Sequence, residues 1–217
     1  MNKPNLLVIG DVHGCYNTFR KLLDEHWNPE EELLVQVGDL INKGKHSVKV
    51  VQLARQLERE HGAVFLLGNH EWESIRTKRG EGNRFWKQHF VGPLIEQYDR
   101  LGLDWEYDVA WFEKHPLKWE NDHIHISHAG IAGFPDPYDP NNKYGVIWNR
   151  ERLNNIGKFQ VIGHTPTYNG CPIYRPDDNY CNVDTGAYLG QALSGIKLTA
   201  TGEFLELVSV LTEDGDI

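Results

Sequence analysis

The feature that most constrains this chain is a recurring unit, a short aliphatic run that stops abruptly at glycine or a polar cluster. Residues 5–9 lead into Gly10-Asp11-Val12-His13-Gly14, residues 33–37 into Gly38-Asp39, and residues 63–67 into Gly68-Asn69-His70-Glu71. Later, residues 124–127 lead into His128-Ala129-Gly130, residues 159–162 into Gly163-His164-Thr165, and residues 180–183 into Asp184-Thr185-Gly186. Runs this short, rich in Val, Ile and Leu and closed by turn residues, have the pattern of buried strands. Between the first three lie helical stripes, one of Phe19, Leu22, Leu23 and His26-Trp27, the other of Val48, Val51, Leu53-Ala54 and Leu57, ending near Gly62. Strand and helix in alternation predict parallel pairing through right-handed crossovers, with the strand carboxyl ends facing one crevice. The expected fold class is α/β, with mixed β-sheets sandwiched by helices and the site at the strand carboxyl ends.

No tract of low complexity and no linker divides the sequence, so residues 1–217 are expected to form one domain. Residues 72–120 break the rhythm with an aromatic-rich helical insert holding Trp72, Trp86, Trp105, Trp111 and Trp119. Beyond Gly186 a terminal hairpin is expected, pairing residues 195–201 with 203–211 around Thr201-Gly202.

Hydrophobic residues at 40% and charged residues at 24% sit near globular averages. The longest apolar runs are far too short to span a bilayer, and the first residues lack the apolar core of a secretory leader. Three cysteines, Cys15, Cys171 and Cys181, suit a reducing compartment, although a Cys171–Cys181 pair on neighbouring strands is a minor alternative. A cytoplasmic protein without a membrane partner is expected. The formal net charge of -9 argues against duplex nucleic acid, which needs a positive surface, but leaves room for a local phosphate ligand.

The polar clusters carry the chemistry. Asp11, His13, Asp39, Asn69, His128 and His164 offer three oxygen donors and three imidazoles without a thiolate, a set suited to Mn, Fe or Zn rather than to a cysteine-type structural zinc site. Six donors exceed one tetrahedral site but fit two ions sharing a carboxylate. Any one of these histidines alone reads as a hydrogen-bonded core residue; six donors at the ends of five strands do not.

These blocks, in this order from residue 10 to residue 187, resemble the signature of the calcineurin-like metallophosphoesterases, more narrowly the phosphoprotein phosphatase family in its small bacterial and phage form. The resemblance implies two divalent cations, manganese first, with iron or zinc as alternatives. Asp11, His13 and Asp39 would hold the first, and Asp39 would bridge to a second completed by Asn69, His128 and His164. It further implies attack by a metal-bridging hydroxide, His70 as the general acid, and Arg150, in Trp148-Asn149-Arg150, as the phosphate grip, with Asn69 also facing substrate. The second block departs from the common form, because Asn42 and Lys43 stand where the family has an aspartate and an arginine. Asn42 would orient His70 without a negative charge, and Lys43 would keep a cation for phosphate without the bidentate fork, Lys45 adding to the field. An Asn-Lys pair is similar to that of the symmetrical diadenosine tetraphosphatase branch.

Phosphomonoesters, including phosphoserine and phosphothreonine in proteins, are therefore the first expected substrates, and dinucleoside polyphosphates the second. A catalytically silent metal-binding scaffold is the reading of another class. Phe134, Tyr138 and Tyr144 could stack a base, and Arg76, Lys78 and Arg79 could meet further phosphates, against the plainer readings of loop anchors and solvated charges. Cys15 reads as packing, His123 and His125 as facing solvent or the opposite layer, and Asp184 as supporting a ligating histidine or closing a turn.

Overall fold

The computed structural model describes residues 4–217. Its first third is the expected alternation of β1 (Asn5–Ile9), α1 (Tyr16–His26), β2 (Glu32–Gln36), α2 (Ser47–His61) and β3 (Val64–Phe65). β1 runs parallel to β2, with Leu6 opposite Leu33 and Val8 opposite Val35, and β2 parallel to β3. α2 stops where its pattern stops, at Gly62 with a left-handed φ of 68°, which an L side chain rarely adopts.

The insert follows as α3 (Asn69–Lys78), α4 (Arg84–Trp86), a π-helical turn over Lys87–Val91, α5 (Gly92–Arg100) and α6 (Trp105–Phe112). Next come β4 (Lys118–Glu120), β5 (Ile124–Ser127), β6 (Phe159–Ile162), β7 (Ile173–Arg175) and β8 (Tyr180–Asn182). These five form a second sheet in the order β4-β5-β6-β8-β7, its central β5, β6 and β8 parallel and its edges antiparallel. The chain then returns to the first sheet as the hairpin of β9 (Ala192–Thr199) and β10 (Phe204–Leu211), giving the order β10-β9-β1-β2-β3. The hairpin begins three residues earlier than the sequence suggests and turns over residues 200–203, Gly202 having a φ of 87°.

Both faces of β1 are buried, which explains its unbroken apolar run. Leu6 and Val8 join Val35, Leu66, Ile126, Val161, Cys181 and Ile196 between the sheets, while Leu7 and Ile9 face a helix-side core with Phe19, Leu22, Val51, Ala54, Ile75, Tyr98 and Phe112. Truncating the fully buried Leu7 to Ala would cost about 2–5 kcal/mol. The insert thus extends the helix-side core.

Several sequence readings change. All three cysteines are free; Cys171 is exposed while Cys181 is buried in β8, so the alternative of a Cys171–Cys181 pair does not form. His125 is wholly buried, its Nε2 3.3 Å from the Tyr138 hydroxyl, whereas His123 is exposed. The Lys45 ammonium bonds the Ile217 carbonyl. Phe134 and Tyr144 stack on each other at 4.1 Å, and Arg76, Lys78 and Arg79 pair with Glu73, Glu106 and Glu113. The plainer readings of loop anchor and surface charge fit both groups.

Candidate metal centre

The two parallel triplets, β1-β2-β3 and β5-β6-β8, end at one place, and every sequence-predicted ligand sits in the turn after one of them. Asp11 and His13 follow β1, Asp39 follows β2, His128 follows β5 and His164 follows β6; Asn69 and His70 open α3, just beyond β3. All are buried. The approach of the turns is so close that only glycine fits between them. A Cβ on Gly68 would lie 2.2 Å from an Asp39 carboxylate oxygen, and one on Gly163 would lie 2.1 Å from an Asp11 carboxylate oxygen.

Hydrogen-bond partners fix the proton on two of the rings. His13 Nδ1 faces the Ile41 carbonyl at 3.0 Å and His128 Nδ1 the Val37 carbonyl at 3.1 Å, so each ring carries its proton there and turns a bare Nε2 lone pair inward. The His13 lone pair then faces the carboxylates of Asp39 at 3.4 Å and Asp11 at 3.8 Å. The His128 lone pair faces the Asn69 carbonyl oxygen at 3.0 Å and Asp39 at 3.5 Å, with His164 Nδ1 3.1 Å away and itself 3.0 Å from that same amide oxygen. Acceptors aimed at acceptors repel unless cations lie between them. Donor atoms of Asp39, His128 and His164 lie within 4.8 Å of one another, as do those of His13, Asp39 and His70. Asp39 belongs to both groups, and the donor set fits two divalent ions sharing its carboxylate.

The electrostatics agree. Burial holds His13, His70 and His164 well below the usual imidazole range and His128 down at about 3, which keeps them in the neutral, ligating form. Burial, then repulsion from Asp184 and Asp39, pushes Asp11 up. Burial lifts Asp39 to about 6 and Asp184 to about 7. Lys43 and Arg150 offset part of this cost, and bound cations would relieve the rest of the strain among buried carboxylates and inward-facing neutral imidazoles.

The remaining predicted residues surround this centre. Asn42 Nδ2 lies 3.0 Å from His70 Nδ1, and the amide's Oδ1 is buried without a partner. Lys43 donates its ammonium to His13 Nε2 at 2.9 Å and lies 3.8 Å over the Tyr188 ring. Both Asn42 and Lys43 adopt left-handed backbone, with φ of 70° and 66°. Arg150 is exposed and bonds Thr165 Oγ1 at 2.9 Å, beside His164 rather than Glu151, so its guanidinium borders the open side of the centre. His70 Nε2 reaches to 3.9 Å from Asp39.

Sequence reasoning gave no part to Glu71, Tyr188 or Phe90. Glu71 is fully buried, and its carboxylate accepts the backbone N–H groups of Asp39, Leu40 and Ile41. Tyr188 stands edge-on to His13 at 4.9 Å, and Trp86 and Phe90 edge-on to His70 at 4.8 Å. A glutamate in the first turn of α3 was a visible capping signal; the aromatic contacts had none.

The family model described as calcineurin-like phosphoesterase matches residues 4–193. The asymmetrical bis(5'-nucleosyl)-tetraphosphatase PrpE of Halalkalibacterium halodurans is 26% identical over 236 residues, which cover 94% of this chain and 92% of that protein. Serine/threonine-protein phosphatase 1 of Salmonella typhimurium is 28% identical, covering 89% and 91%. A symmetrical bis(5'-nucleosyl)-tetraphosphatase of Erwinia tasmaniensis is 32% identical but covers 58% of this chain and 44% of its own. Among solved structures, a metallophosphoesterase from Sphaerobacter thermophilus superposes with a TM-score of 0.65 at 16% identity, covering 98% and 90% of the two chains, which shows a shared fold.

Proposed function

The chain belongs to the calcineurin-like phosphoesterases and is a hydrolase, and from that premise we propose that it cleaves phosphoanhydrides of the dinucleoside polyphosphate type faster than alkyl phosphomonoesters. This reverses the order of substrates that the sequence suggests. The contact between Asn42 and His70 carries it.

The residues that would hold the ions are Asp11, His13 and Asp39 for one and Asp39, Asn69, His128 and His164 for the other. When bound, such a pair activates water at neutral pH and neutralises the attacking and leaving oxygens. Around it the protein's own groups act on substrate. Arg150 grips phosphate oxygens from the open side through its planar fork, and Lys43 adds a point charge. His70 directs Nε2 toward the leaving oxygen, but behind it stands a neutral amide rather than a carboxylate. An imidazolium at His70 has no counter-charge at Nδ1, and burial already disfavours its charged form. General acid catalysis is therefore weak, which penalises an alkoxide leaving group far more than a phosphate, whose oxygen leaves readily without a proton.

A second reading, phosphoserine or phosphothreonine hydrolysis, draws support from the Salmonella relative, which matches nearly the whole chain. Competition at limiting enzyme with added manganese separates the two. Faster turnover of diadenosine tetraphosphate than of a phosphoserine peptide is expected, and the opposite order would overturn the proposal.

A further inference from the structure

Helix α1 begins shortly after His13, yet nothing local caps it. Cys15 at the N-cap position makes no side-chain capping bond, and the first turn holds no acidic residue. The cap arrives from the far end of the fold. Asp216, 0% exposed in the short turn Asp214–Asp216, accepts the Asn17 N–H at 3.0 Å through Oδ1, and the Thr18 N–H and hydroxyl at 2.8 and 2.7 Å through Oδ2. A carboxylate there satisfies orphan N–H groups and lies at the positive end of the helix dipole.

The same turn grips the second ligand loop. Asp216 O accepts the Lys45 N–H at 2.9 Å, Gly215 O faces His46 Nε2 at 3.0 Å, and Ile217 O receives the Lys45 ammonium. A Cβ on Gly44 would meet Asp216 O at 3.1 Å and His13 O at 2.4 Å, so the turn packs directly behind the point where the two loops touch. Gly44 N–H also donates to His13 O at 2.8 Å. The loop held this way carries Asn42 and Lys43 in left-handed backbone, a conformation that costs a non-glycine residue and persists only where the surroundings impose it.

We propose that Asp216 is a positioning residue: it ties the first turn of α1, at Asn17 and Thr18, to Lys45 in the loop of residues 39–46, and so sets Asn42 against His70 and Lys43 toward the centre. The inference rests on the phosphohydrolase reading, in which His70 protonates the leaving group.

The test compares the manganese-loaded full chain with Asp216→Ala and the milder Asp216→Asn, which keeps one acceptor oxygen, on p-nitrophenyl phosphate and on a phosphoserine peptide. Misplacing Asn42 disturbs His70, so Asp216→Ala should lower kcat on the peptide about tenfold more than on p-nitrophenyl phosphate. Asp216→Asn should fall between, and serves if the alanine variant does not fold. In an Asn42→Ala background, Asp216→Ala should add no further selectivity. Equal losses on both substrates, or full additivity with Asn42→Ala, would overturn the proposal and leave Asp216 a stability residue. If the parent chain turns over neither of these substrates nor diadenosine tetraphosphate with any divalent metal, the phosphohydrolase reading fails instead. The tie is then read from amide hydrogen exchange at Lys45, where faster exchange in Asp216→Ala upholds it and unchanged protection overturns it.

Discussion

Glu71 lies directly behind Asp39, its Oε2 accepting the Asp39 backbone N–H at 2.9 Å while its Oε1 accepts that of Leu40 at 2.9 Å and Ile41 at 3.3 Å. The carboxylate of the proposed bridging ligand therefore owes its direction to a second, more deeply buried one. Burial and repulsion from Asp39 push Glu71 up to about 8. Replacing it by Gln puts an amide donor against backbone donors, with a cost of about 1–3 kcal/mol per orphaned group. Glu71→Gln should lower the urea midpoint and reduce metal content measured after gel filtration.

Stability of the metal-free chain should depend on pH in a set direction. A carboxyl raised by folding binds its proton more tightly in the native state, so its contribution is full below the unfolded value and is lost as pH rises through the folded one. Burial depresses His115 and His128 to about 3 and His125 to about 4, and these give the opposite slope, but only below the unfolded histidine value of about 6.5. Between roughly pH 6.5 and pH 8 Asp184, at about 7, and Glu71, at about 8, dominate. Urea unfolding in chelator should show stability falling across that window, by on the order of 1 kcal/mol per pH unit. Added manganese should flatten the fall. A rise with pH in chelator would contradict the burial described for both carboxyls.

His70→Asn should keep bound metal and lose about 10²-fold in turnover on an alkyl phosphate, the low end for a general acid. On p-nitrophenyl phosphate, whose leaving group needs no proton, the loss should be much smaller. Equal losses on both substrates would remove His70 from the role of acid.

Metal stoichiometry by elemental analysis discriminates among the ligands. His128→Ala and His164→Ala should each retain about one ion of the two, because each belongs to one donor group, while Asp39→Asn should weaken both. Two tightly held ions in Asp39→Asn would exclude a shared carboxylate.

Arg150→Lys should raise KM for phosphoryl substrates by roughly tenfold while leaving metal content unchanged, since a lysine keeps the charge but loses the two-pronged contact. Thr165→Val, which removes the hydroxyl that Arg150 bonds at 2.9 Å, gives a smaller change in the same direction.

Much of this centre was legible because its donors are chemically conspicuous and abut the glycines that end strands. Asp11, Asp39, His128 and His164 all follow runs whose strand character the sequence displays, and the structure brings all four together. Division of those strands between two sheets was not legible, since β1 and β5 have the same apolar pattern and only tertiary packing separates them. Glu71 has an obvious local explanation as a helix-start residue, which hides its bonds to a loop about thirty positions earlier. Burial of His125 depends on Tyr138 and residues far along the chain covering its sheet, and a single strand cannot report that.

Because Asp39 and Asn69 come from the first sheet while His128 and His164 come from the second, the pocket these four form is complete only where the two layers meet. Ions captured there would rivet the two layers together at their rim, and the unfolded chain, with its donors dispersed, would compete poorly for them. Occupancy would then translate directly into resistance to unfolding, growing with the logarithm of free metal above the dissociation constant. Starving the protein of metal would loosen the seam between the layers first, ahead of the helices packed on the outer face.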